Sequence, residues 1–129
     1  MTEDDSGTGG KHAIHAYVPA EIHSDFEAYR RELGLTSASA LLTLLVLREI
    51  RLQRLSATPP GGDPGHAFAA RDAKVSAYID ANKAEAFRAV CGGLGRSVSD
   101  GAADLIAREL AERWLEAALQ LPSMDEAAR

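Results

Sequence analysis

Two stretches of the chain alternate between apolar and polar residues, with period two over five or six positions. Such alternation predicts a short β-strand with one buried face. An isolated strand of this length has unpaired backbone groups on both edges, so pairing the first strand with the second is expected. The positions predicted to face the core are Ile14, Ala16 and Val18 in the first strand and Val75, Ala77 and Ile79 in the second.

A helix is predicted after each strand. In the first copy Phe26, Tyr29 and Leu33 recur at helical spacing before Gly34. The second copy repeats this pattern with Phe87, Val90 and Leu94 before Gly95. Glycine readily takes the left-handed conformation that ends helices, so both helices are expected to end there.

A second helix in each copy is predicted to begin at a pair of serines, which are good N-cap residues. In the first copy this helix is apolar almost all round, as expected for a central buried helix. In the second copy it is more amphipathic and is expected to continue for two more turns. The serines are Ser37, Ser39, Ser97 and Ser99, and the extension carries Trp114, Leu115, Ala118 and Leu119.

The two copies align along most of their length. Tyr17 aligns with Tyr78 and Phe26 with Phe87, each pair 61 residues apart. Each copy has about 40 residues, too few to bury a good core alone. The chain is therefore predicted to be mainly α, with a short two-stranded antiparallel ribbon and two halves that complete one another.

Composition divides the chain into five segments. Residues 1–10 are predicted to be a disordered acidic N-terminus and 11–55 the first repeat. A Pro- and Gly-rich linker over 56–70 precedes the second repeat, 71–121, with its extended C-terminal helix. Residues 122–129 are predicted to fray.

Overall composition favours a cytoplasmic protein. The longest apolar run, Leu41–Leu47, is too short to span a bilayer, and the acidic N-terminus lacks the features of a signal peptide. The single cysteine, Cys91, excludes an internal disulfide. The net charge of −5 lies mostly in the ends and the linker, and the near-neutral repeats count against nucleic-acid binding without excluding it.

The order of strand, helix, turn with glycine and serine, and second helix resembles the ribbon-helix-helix family of Arc/MetJ-type DNA-binding proteins. The segment Gly95-Arg96-Ser97-Val98-Ser99-Asp100 resembles the turn between the two helices of Arc-type repressors, and Tyr17-Val18-Pro19 resembles their transition from strand to helix. The resemblance covers about residues 13–55 and 74–115. Two copies on one chain are similar to TraY-type conjugation proteins, which implies a tandem ribbon-helix-helix fold forming an intramolecular pseudo-dimer.

The resemblance implies sequence-specific binding of double-stranded DNA through a ribbon in the major groove. The role would be that of a transcriptional repressor or a relaxosome accessory protein in plasmid transfer. Implied partners are DNA and a relaxase or other transfer proteins, with a higher oligomer on DNA, and neither a membrane nor a cofactor is expected. The alternative is a protein-interaction module, antitoxin-like or a scaffold, that uses the same fold without contacting DNA bases.

The candidate base contacts lie on the ribbon face opposite the core, because lysine, serine, histidine and tyrosine side chains can bond to base edges. They are Ala13, His15, Tyr17, Lys74, Ser76 and Tyr78. Helix N-termini attract phosphate, and in the family this turn contacts the DNA backbone. The phosphate contacts implied by this analogy are Thr36, Ser37, Ser39, Arg96, Ser97 and Ser99.

Enzymatic activity is not expected. The four histidines, His12, His15, His23 and His66, show no metal-ligand spacing with Cys91 or with a pair of carboxylates. Cys91 lies one turn before Gly95 and is interpreted as a small core residue. No catalytic residue and no metal site are predicted.

Overall fold

The computed structural model describes residues 11–53 and 71–119. These ranges confirm a mainly helical protein with a two-stranded antiparallel sheet. The predicted N-terminus, linker and tail (1–10, 56–70 and 122–129) lie outside the described residues. In chain order the elements are β1 (Lys11–Val18), α1 (Ala20–Leu33), α2 (Ala38–Leu52), β2 (Ala73–Asp80), α3 (Ala81–Gly93) and α4 (Val98–Glu112).

The strands pair along their whole length and are longer than the alternation predicted. β1 begins at Lys11, which pairs with Asp80 at the far end of β2, and Val18 pairs with Ala73. Main-chain pairing does not require apolar side chains, so it continues past the alternating stretch into polar positions. The outermost residues of both strands therefore belong to the ribbon.

The first helix of the chain is capped by a nearby glycine at its end and by a residue of the other repeat at its start. Gly34 has φ of 81°, and its N–H donates to the carbonyls of Arg30 and Arg31, which confirms the predicted left-handed cap. Gly95 also has positive φ, but α3 ends two residues earlier. Pro19 begins α1 without a capping side chain, and Asp72 from the other repeat accepts the N–H of Ala20 at 3.0 Å.

Packing is crosswise between the repeats. α2 lies against β2, and α4 lies against β1, so the second helix of each repeat covers the strand of the other. The phenylalanines of the two copies, Phe26 and Phe87, are both fully buried in this shared core. Within the described ranges, the core of each repeat is completed by elements of the other, as expected from the small size of each.

Helix α2 is not buried all round, contrary to the sequence-based prediction. Leu44 is 42% exposed, whereas Glu49 on the same helix is fully buried. The described residues form a sheet of two strands, which covers one side of α2 and leaves Leu44 on the other side in contact with solvent. Apolar composition alone therefore overestimated the burial of this helix.

The predicted continuation of the last helix is interrupted at Arg113, which adopts a left-handed conformation with φ of 49°. Residues 114–119 form a separate helical segment. Its first turn is held by side chains, because the N–H of Leu115 donates to Glu109 Oε2 at 2.7 Å and that of Glu116 to the Tyr29 hydroxyl at 3.1 Å. The segment therefore packs against the repeats, with Leu115 partly buried beside the core.

Close approach of α3 and α4 requires glycine at position 101. A Cβ atom there would lie 2.4 Å from Cys91 Sγ and 3.6 Å from a ring carbon of Phe87. Burial raises the pKa of the Cys91 thiol to about 11, so this sulfur is a neutral core atom at physiological pH. The interpretation of Cys91 as a core residue is confirmed.

We expect Gly101→Ala to lower the free energy of unfolding by about 1–3 kcal/mol, measured by urea denaturation. Overpacking of this size outweighs the gain of up to about 1 kcal/mol from removing a helical glycine. The matched control is Gly92→Ala on α3, where an added Cβ meets nothing and should be neutral or stabilising. Adding Cys91→Ala to Gly101→Ala should restore most of the loss. A Gly101→Ala protein as stable as the control would contradict this explanation.

Candidate nucleic-acid interface

The ribbon has one face on the helices and one face in solvent. All six positions predicted to face the core are buried, which confirms the alternation. On the opposite face Tyr17 is 39% and Tyr78 53% exposed. Ala13 and Lys74 are also exposed, whereas His15 and Ser76 are half-buried.

Strand register brings the six candidate base-contact residues together as three cross-strand pairs on one face. The pairs are Ala13 with Tyr78, His15 with Ser76, and Tyr17 with Lys74. Residues directly opposite in an antiparallel pair have Cβ atoms about 4.5–5.5 Å apart. The six side chains therefore form one continuous polar and aromatic surface, although they come from two distant segments of the chain.

His15 and Ser76 form a hydrogen-bonded pair between the other two pairs. Nδ1 of His15 lies 2.8 Å from Oγ of Ser76, and the roles of donor and acceptor depend on the tautomer of the imidazole. The ring of Tyr17 lies 6.4 Å from the imidazole, centroid to centroid. The main chain is held as well, because the Ser99 hydroxyl donates to the carbonyl of His15 at 2.7 Å.

The charge of the ribbon face is small. Lys74 contributes one positive charge, and Lys11 forms an exposed ion pair with Asp80 at 3.5 Å. Exposed pairs of this kind are screened by solvent and contribute little to stability, so Lys11 can exchange Asp80 for another anion. The face is therefore weakly positive, in contrast to the net charge of −5 of the whole chain.

The N-terminus of α2 has the features expected for an anion contact. Ser37 caps the helix by accepting the N–H of Ala40 at 3.0 Å, which confirms its predicted capping role. Thr36 is exposed beside it and Ser39 is half-buried, and the first turn contains no acidic residue. The positive end of the helix dipole is therefore not offset by a carboxylate in the first turn of α2 itself.

The N-terminus of α4 is different. Ser97 is exposed and caps the helix by accepting the N–H of Asp100 at 3.0 Å. Arg96, however, points inward to the fully buried Asp104, at 2.8 Å, and its side chain is only 12% exposed. The hydroxyl of Ser99 is bound to the ribbon backbone. Of the three predicted phosphate contacts in this copy, only Ser97 is an exposed residue.

Two arginines near this helix were not among the candidate contacts. Arg71 lies 2.7 Å from Asp100, so it offsets the acidic charge in the first turn of α4. Arg88 on α3 lines a recess of about 230 Å³ beside β1, together with His12, Tyr17 and Ser99. The place of Arg71 just before the second strand is visible in the sequence, whereas that of Arg88 is not, because Arg88 lies on the outer face of a helix and reaches the ribbon only through the folded arrangement.

Two further features bear on other classes of function. Within the described residues, no group of three or more histidine, cysteine or acidic side chains could hold a metal ion. In the same part of the chain no single helix is long and apolar enough to cross a membrane, and α1 and α2 reach the required length only as a pair bent by 85°.

Comparison of the chain with known proteins found no similar protein. No protein-family model matches the chain, and neither the curated proteins nor the solved structures give a match.

Proposed function

We propose that this chain is a tandem ribbon-helix-helix protein that folds as an intramolecular pseudo-dimer and binds double-stranded DNA sequence-specifically through its ribbon. The observation that carries the proposal is the solvent face of the ribbon, where cross-strand pairing joins His15, Tyr17, Lys74 and Tyr78 into one surface. Two-stranded ribbons fit the major groove of B-DNA, where each base pair presents a distinct pattern of donors and acceptors.

The register of the strands supports the pseudo-dimer. His15 and Ser76 face each other, and they are 61 residues apart, the same offset that aligns the two repeats. In a symmetric dimer the residue on the two-fold axis faces its own copy, so an approximate two-fold axis passes through this pair. The crosswise packing of α2 on β2 and of α4 on β1 follows the same symmetry.

Contacts to the DNA backbone would come from the helix N-termini on either side of the ribbon. Backbone N–H groups and the helix dipole favour phosphate at such sites. The α2 end supplies Thr36 and Ser37, and the α4 end supplies Ser97. The resemblance to tandem conjugation proteins favours a relaxosome accessory role beside a relaxase. The abundance of repressors in the family favours transcriptional regulation.

The test is equilibrium binding of the full chain to a pool of short duplexes at several salt concentrations. For about four phosphate contacts, affinity should fall roughly 100-fold between 50 and 200 mM salt, because neutralised phosphates release counterions. Replacing four residues of the ribbon face with alanine together should remove the preference for particular sequences while the fold survives, since none of them belongs to the buried core: His15, Tyr17, Lys74 and Tyr78. Arg51→Ala, at the far end of α2, is the matched control and should bind as the wild type does.

A protein-interaction module is the second candidate. It is favoured by the acidic net charge and by the engagement of Arg96 and Arg71 with carboxylates of the protein itself. If the wild-type chain binds no duplex even at low salt, this function replaces DNA binding.

A further inference from the structure

The two strands present similar but unequal residues to solvent. Alignment of the repeats makes Tyr17 and Tyr78 equivalent, and both are exposed on the ribbon face. Ala13 is equivalent to Lys74, and His15 is equivalent to Ser76, so these two positions differ in chemistry. The unequal side chains lie within the surface formed by the three cross-strand pairs.

Each end of the ribbon therefore has its own composition. At one end Tyr17 faces Lys74, which places an aromatic phenol beside an ammonium group. At the other end Tyr78 faces Ala13, which places the same phenol beside a methyl group. The approximate two-fold axis exchanges these two ends, and the exchange would be exact in a symmetric homodimer.

The centre of the ribbon is unequal as well. His15 uses Nδ1 in its bond to Ser76, which leaves Nε2 as the ring nitrogen that can contact a base. The carbonyl of His15 accepts the Ser99 hydroxyl, so the backbone of β1 is fixed at this position by α4. The centre of the ribbon face thus presents an imidazole from β1 and a hydroxyl from β2.

From this arrangement we infer that the DNA site is non-palindromic and that it fixes the direction in which the protein lies on the duplex. This inference rests on the proposed function. Lys74 can donate to O6 and N7 of guanine, whereas the methyl group of Ala13 favours contact with the thymine methyl group. One half-site therefore contains guanine and the other contains thymine, with the His15–Ser76 pair over the centre.

The experiment begins with selection of tight-binding duplexes from a random pool by the wild-type chain. The expected motif has unlike halves, one with guanine and one with thymine at equivalent positions. On a duplex in which the thymine half is replaced by a second guanine half, we expect affinity to fall about 5- to 100-fold. A thymine-only palindrome should weaken binding by a similar factor.

Two double variants each give the two strands identical residues on the solvent face. Ala13→Lys with His15→Ser gives both strands the residues of β2, and Lys74→Ala with Ser76→His gives both strands the residues of β1. The first should select a palindrome of the guanine half and the second a palindrome of the thymine half. All four positions lie on the outer face, and the Ser99 bond uses only the main chain of His15, so both variants should melt near the wild-type temperature.

The outcomes separate the two proposals. A palindromic wild-type motif, bound with the expected dependence on salt, would overturn the inference and leave DNA binding intact. Symmetric variants that keep the wild-type motif would also overturn it, because other residues would then determine sequence. Arg51→Ala must return the wild-type motif in the same selection. Failure of the wild type to bind any duplex at low salt overturns the proposed function and, with it, the inference.

Discussion

Replacing Glu109 with alanine is expected to lower the free energy of unfolding by about 3–5 kcal/mol. The carboxylate is fully buried and accepts hydrogen bonds from the Tyr29 hydroxyl at 2.6 Å, from Arg48 Nη1 at 2.8 Å and from the N–H of Leu115 at 2.7 Å. The Arg48 side chain is only 9% exposed, so removal of its partner leaves a nearly buried cation without this carboxylate. Loss of one partner costs far more than a surface ion pair does.

The only tryptophan of the chain reports this change directly. The guanidinium of Arg48 lies 4.8 Å from the ring of Trp114, the first residue of the helical segment 114–119. Urea denaturation followed by Trp114 fluorescence should therefore show both the loss of stability and a red-shifted native spectrum. Glu112→Ala is the matched control on the same helix, because its pair with Arg108 is partly exposed and worth little. Equal stability of the two variants would contradict the central role of Glu109.

Phe26→Ala and Phe87→Ala are each expected to cost about 3–5 kcal/mol and to destabilise the whole molecule. The two rings are equivalent in the repeats, and both are fully buried in one shared core. A cavity in either half removes support from the strand and helices of the other, since packing is crosswise. Both variants should therefore unfold in one transition shared by the two repeats.

The measurement compares two probes of the same urea titration. Trp114 fluorescence reports the segment packed beside α1 and α2, while far-ultraviolet circular dichroism reports all helices. For a two-state protein the two curves coincide. Leu52→Ala, at an exposed position of α2, is the control and should change stability by less than about 0.5 kcal/mol. Separate transitions for the two probes would show that the repeats fold independently.

Local patterns predicted the parts of the fold that depend on local chemistry. Alternation identified the buried and exposed faces of both strands, because period two is a property of the strand itself. Ser37, Ser97 and Gly34 were identified as helix caps, since capping involves residues only three or four positions away. The six candidate base contacts share one face for the same reason, whereas their contact with DNA stays a prediction.

Other features depend on partners from the opposite repeat, and no local pattern contains them. Burial of Glu109 depends on its partners Arg48 and Tyr29, which neutralise or bind the carboxylate. These partners lie 61 and 80 residues away in the sequence, so no local pattern predicts them. Ser99 binds a carbonyl 84 residues away, which the rule for helix caps could not anticipate. Asp104 on α4, by contrast, is close in sequence to its partner Arg96, which lies just before the helix. Its burial still escaped prediction, because periodicity does not show how a charge within an apolar face is neutralised.

Placing both strands of the ribbon on one polypeptide changes how the molecule responds to dilution. A ribbon assembled from two chains dissociates as concentration falls, so its stability follows mass action. Here β1 and β2 belong to the same chain, and the covalent connection keeps their effective concentration independent of the protein concentration. At low protein concentration, the fraction of a ligand bound by this ribbon therefore rises in proportion to the protein concentration. For a homodimer that dissociates into monomers, the bound fraction rises with the square of the protein concentration.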